Sequence, residues 1–97
     1  MTNIPTWIEA EDFSFANGMN EEKARAEYEK IACIFPGSRR IFIGRSVVKV
    51  YTPKAVAFTN EGIERMTELG FVFMDALPEL EDKQPVLQLT FLRREIQ

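Results

Sequence analysis

The side chains that most often carry chemistry near neutral pH are almost absent from this sequence. It contains no histidine and one cysteine, Cys33. Without imidazole there is no Ser-His-Asp triad, no Cys-His dyad and no ordinary zinc site, because histidine is the commonest general base and the commonest transition-metal ligand. Cys33 stands between Ala32 and Ile34 with no histidine to lower its pKa, and it reads as a buried structural thiol. The carboxylates Glu79, Glu81 and Asp82 cluster between Pro78 and Pro85. They lack the alternating acidic spacing of a calcium loop, so a solvated acidic turn is the simpler account. Glycines at 18, 37, 44, 62 and 70 are isolated and form neither a P-loop nor a dinucleotide fingerprint. The expectation is a protein with no cofactor, no metal and no catalytic centre.

What remains is the chemistry of contact. Formal charges are −4 over residues 1–30, +5 over 31–60 and −4 over 61–97, within a net charge of −3. The middle third therefore forms a basic island with Arg39, Arg40, Arg45, Lys49 and Lys54, interleaved with Phe42, Tyr51 and Phe58. On one surface, the five bases with Tyr51 would make a binding face for phosphates or for an acidic protein patch, the aromatics offering stacking planes. The competing account is that hairpin strands turn these residues to solvent and acidic helices neutralise them.

Ile41-Phe42-Ile43-Gly44 resembles the first signature of an RNA recognition motif, and Lys54-Ala55-Val56-Ala57-Phe58 resembles a degraded second one. In that family a helix and a further strand separate the two signatures. Here only about ten residues intervene, so the resemblance does not extend to the family's fold.

The elements that must position these residues follow from periodicity. Thr6 to Glu9 has the spacing of a helical capping box, Phe13-Ser14-Phe15 alternates like a strand, and Asn17-Gly18 signals a turn. Residues 1–19 are read as an arm packed on the core through Trp7, Phe13 and Phe15. Asn20 caps a helix with Ala24, Tyr28, Ile31, Ala32 and Phe35 on one face, ended by Pro36-Gly37. Runs at 40–43, 47–51 and 55–59 read as antiparallel strands. A second helix follows from Thr59 or Asn60 to Gly70, then strands at 71–77 and 86–92 joined by an exposed acidic loop, 78–85.

The expected fold is one α+β domain over residues 1–97, with a small antiparallel or mixed sheet of four to five strands and two helices packed on one face. At 97 residues with 45% hydrophobic and 28% charged side chains, the chain suits a single core. No stretch reaches the roughly 18 apolar residues of a membrane span, and the start lacks the pattern of a secretory signal, so the cytoplasm is the expected location. Strand 86–92 alternates, with Leu87, Leu89 and Phe91 on one side. Placed at a sheet edge it would offer backbone groups to a second copy; placed centrally it would be covered within the monomer.

Three functions are open on these grounds. The leading one is a non-catalytic protein–protein interaction module, a compact accessory or inhibitor of the kind encoded by phages and other mobile elements. The others are nucleic-acid binding through the basic 39–54 hairpin and a structural subunit of a larger assembly such as a virion.

Overall fold

A computed structural model describes residues 6–53 and 60–94. Six strands and two helices follow in the order β1 (Trp7–Glu9), β2 (Ser14–Ala16), α1 (Glu21–Ile34), β3 (Arg40–Ile43), β4 (Val47–Thr52), α2 (Asn60–Glu68), β5 (Phe71–Glu81) and β6 (Gln84–Arg93). All six strands join one sheet in the order β1-β2-β3-β4-β6-β5. The sheet is mixed: β2 and β3 run parallel, with α1 as the crossover between them, and the other neighbours are antiparallel.

The fold class therefore holds, with six strands in place of four to five. The added strands come from the arm, where β1 and β2 extend the sheet instead of lying against it. Phe13 and Phe15 enter the core as expected, whereas Trp7 is 47% exposed. The proposed strand 55–59 and Lys54 lie outside the described residues.

The stretch 78–85 is not a loop. β5 and β6 form one long hairpin closed by two residues, Asp82 (φ 50°) and Lys83 (φ 65°). Both sit in the left-handed region that a tight two-residue hairpin requires, a turn usually marked by Asn-Gly. The proline brackets are compatible because Pro78 faces Leu87 and Pro85 faces Leu80 at positions outside the hydrogen-bonded pairs of the hairpin. Strand 86–92 lies inside β6, hydrogen-bonded to β4 on one side and β5 on the other. Association of copies through a free edge of 86–92 is thereby ruled out; the outer strand on that side is β5.

Local chemistry explains the helix ends. The Lys23 backbone N–H donates to Asn20 Oδ1 at 3.1 Å, Glu21 and Glu22 occupy the first turn, and the Phe35 N–H closes on the Ile31 carbonyl at 3.0 Å. Gly70 (φ 96°) ends the turn after α2, its N–H donating to the Thr67 carbonyl at 3.0 Å.

One cluster holds the two layers together. Ala24 and Ile31 of α1, Phe35 beyond it and Met66 of α2 pack with Phe15, Ile41, Ile43, Val48, Val50, Leu89 and Phe91 from the sheet. Both helices therefore cover the same sheet face. Burial of each large side chain in this layer contributes about 1.5–3 kcal/mol. The Glu27 carboxylate and Arg93 guanidinium add a two-pronged ion pair between α1 and β6, with Arg93 Nη1 2.6 Å from Glu27 Oε2. Arg93 also donates from Nε to the Gly44 carbonyl at 2.9 Å and lies over the Phe71 ring. It is a bracket inside the fold that ties β6 to α1 and to the β3–β4 turn.

Candidate interaction face

Strand alternation fixes which residues look away from the helices. Since Ile43 and Val48 face the core and pair with each other, the cross-strand pairs Phe42·Lys49 and Arg40·Tyr51 point to the opposite face. The register continues these rows through β6 and β5. Lys49, Thr90 and Asp75 stand side by side; so do Tyr51, Gln88 and Leu77, and Val47, Leu92 and Val72. On the other flank β1 contributes Trp7 and Glu9, paired with Ala16 and Ser14 of β2. No helix covers this face among the described residues.

Trp7, Arg40, Phe42, Lys49 and Tyr51 line a shallow groove of about 310 Å³ on this surface. Trp7 and Phe42 share the groove although β2 runs between their strands, and the small β2 residues Ser14 and Ala16 are buried. Gly44 makes room for Phe42: a Cβ there would meet the ring at 2.8 Å and the Val47 carbonyl oxygen at 2.6 Å. The face also carries exposed Val72, Leu77 and Leu92.

Only part of the basic island comes together here. Arg40 and Lys49 share the face with Tyr51. Arg39 donates from Nη2 to Gln84 Oε1 at 2.9 Å, which ties it to the end of the β5–β6 hairpin. Arg45 is in the β3–β4 turn, at the far end of β3 from Arg40, with Nη2 so close to Gly18 that a Cβ there would lie 2.5 Å away. Lys54 is outside the described residues.

Nor is the face basic. Arg40 is 3.0 Å from Glu9 and 3.6 Å from Glu81, linking the two outermost strands of the sheet through one guanidinium. By strand alternation Asp75, Glu79 and Gln84 point the same way as Glu81, so four acids stand with Arg40, Lys49 and, at the hairpin end, the Arg39 guanidinium that reaches Gln84. Among the described residues Lys49 has no ion pair. Burial raises the Tyr51 phenol pKa above its ordinary value; nearby Arg40 opposes this, while Glu81 and Glu79 reinforce it.

Cys33 is exposed on α1, which corrects the expectation of a buried thiol. Two positions along a helix are about 200° apart, so burying Ile31 turns Cys33 outward. Glu79, Glu81 and Asp82 lie along the hairpin and its turn, and no group of three or more acidic or thiol side chains able to hold a metal occurs among the described residues.

The sequence reading missed Trp7, Asp75, Val72 and Leu77. Trp7 and Glu9 do alternate, but a capping-box spacing competed with that signal. For the other three, sequence alone gives a strand but no face, because the face depends on the β5–β6 register.

Comparison with known proteins finds no matching family model, no matching curated protein and no matching solved structure. No helix among the described residues is long and apolar enough to cross a membrane.

Proposed function

We propose that this chain is a non-catalytic protein–protein interaction module that docks through the sheet face left uncovered by its helices. One observation carries the reading: a half-exposed tryptophan, Trp7, shares an open groove with Phe42 and Tyr51, flanked by Arg40 and Lys49. Large aromatics and arginine are the side chains that most often anchor protein interfaces. The charge of the face favours protein over nucleic acid, since its four acids outnumber Arg39, Arg40 and Lys49, and Arg40 is already paired with two of them. In its narrower form the proposal is a cytoplasmic accessory or inhibitory subunit acting on a larger complex, of the kind that mobile elements encode. Arg40, Lys49 and Tyr51 border the contact, with Trp7 and Phe42 as its anchors.

The test is native mass measurement of the chain purified from its source cell beside a Trp7→Ala, Phe42→Ala double variant of unchanged circular dichroism. The proposal expects a protein partner with the parent chain and at least a tenfold loss of it with the variant, the usual scale for two anchor residues. Equal retention by the variant, or bound nucleic acid in place of protein, would refute it.

A further inference from the structure

The register around β6 gives the uncovered face an internal symmetry that bears on what can lie against it. β6 runs between β4 and β5, and each of its outward residues has one neighbour on either side. Leu92 stands between Val47 and Val72, Thr90 between Lys49 and Asp75, and Gln88 between Tyr51 and Leu77. A two-fold axis along β6, in the plane between two such faces, exchanges the β4 side of one copy with the β5 side of the other. Val47 then meets Val72 of the second copy, Lys49 meets Asp75, and Tyr51 meets Leu77, while Leu92 and Thr90 each meet their own counterparts and Gln88 lies buried between Tyr51 and Leu77.

Resting on the proposal that this face is a docking surface, we infer that its first partner is a second copy of the same chain, packed face to face about β6. Charge complementarity selects this occupant. Lys49 has no ion pair among the described residues, and the partner it needs, Asp75, is presented in the same row at the same distance from the axis. An isologous contact makes that pair twice. The same operation covers Val72, Leu77 and Leu92, three of the exposed large hydrophobic residues. The alternative axis, perpendicular to the strands, would set β4 over β4 and bring Lys49 against Lys49. Aligned sheets packed about 10 Å apart accommodate the first arrangement.

The overlap is small. Three strands by three outward rows span about 15 Å by 20 Å at ordinary strand spacing, far below the roughly 800 Å² per partner of a standard stable complex. The dimer is therefore weak and concentration-dependent. It takes Lys49 and Tyr51 from the border of the groove into its seam but leaves β1 to β3 beyond the edge of the second copy, so that Trp7, Arg40 and Phe42 stay open on both flanks for an unlike protein.

Sedimentation equilibrium up to about 0.5 mM, a range that resolves weak association, tests the inference with four samples: the parent chain, Lys49→Asp, Asp75→Lys, and the two variants mixed. The parent is expected to dimerise. Each single variant sets like charges against each other twice and should weaken the dimer at least tenfold, since like-charge contacts cost several kcal/mol. The mixture restores both pairs and should form a heterodimer, which also shows that each variant is folded. A parent chain that stays monomeric, or a dimer indifferent to these substitutions, overturns the inference. Either result leaves the Trp7 and Phe42 test of the docking face standing on its own.

Discussion

At the scale of single residues, Tyr51 makes the environment of the face measurable. Its phenol is half-buried against β6, and burial is the largest cause of its raised pKa, with Arg40 opposing and the hairpin carboxylates adding to the rise. A group that holds its proton more tightly when folded stabilises the fold fully below its unfolded pKa, here near 10. That contribution is lost as pH rises through the higher folded value. Urea unfolding from about pH 9 to about pH 11.5 should show stability falling above pH 10, and Tyr51→Phe should flatten part of the decline. An identical decline in both proteins would mean that the phenol is not held protonated by the fold. Two hydroxyls, Ser14 Oγ and Thr52 Oγ1, are buried without a hydrogen-bond partner among the described residues.

At the scale of elements, the β5–β6 hairpin decides how the molecule presents an edge. β5 is the outermost strand, eleven residues long, with Val72, Phe73, Met74, Leu77 and Leu80 exposed. A long apolar edge normally invites another strand. Two devices oppose this: an irregularity between Phe73 and Asp75 breaks the ladder, and Pro78 has no N–H to offer. In a hairpin closed at Asp82-Lys83, Ala76, Pro78 and Leu80 are the residues whose backbone groups turn away from β6. Pro78→Val restores a donor in the middle of that row. The variant should form larger species at concentrations where the parent stays small, visible by light scattering. Unchanged behaviour would show that the irregularity suffices alone.

The hairpin also shows where the sequence was legible. The β-rich run 71–77 and the alternation at Leu87, Leu89 and Phe91 mark two strands, and Asn20, Gly37 and Gly70 mark helix ends, because those signals are local. The joining turn was hidden, since Asp82-Lys83 takes a left-handed conformation that hairpin context imposes on residues with little preference for it. Pro78 and Pro85 pointed to a loop, as prolines do unless their nitrogens happen to face away from the partner strand. β1 and β2 were obscured by brevity, at three residues each.

At the scale of the whole molecule, the basic island in the sequence does not become a basic surface. Charges contiguous along the chain are separated by the fold: Arg45 goes to a turn, Arg39 to the hairpin end, and Arg40 to Glu9 and Glu81 from distant segments. Such pairings depend on strand order, and strand order could not be read from composition. Two helices pack on one side of a six-stranded sheet, and no helix covers the other side among the described residues, with aromatic residues at one flank and apolar residues at the other. That asymmetry is the feature on which the proposed docking role rests.

The sequence contains one tryptophan, and it lies on the face in question. The most direct test is therefore Trp7 fluorescence and its quenching by acrylamide, measured for the chain alone and in complex with a protein captured by it. Docking on this face predicts a shift of emission to shorter wavelength and a clear fall in quenching on binding. Unchanged emission and quenching in a complex shown to be intact would contradict the assignment of this face as the contact surface.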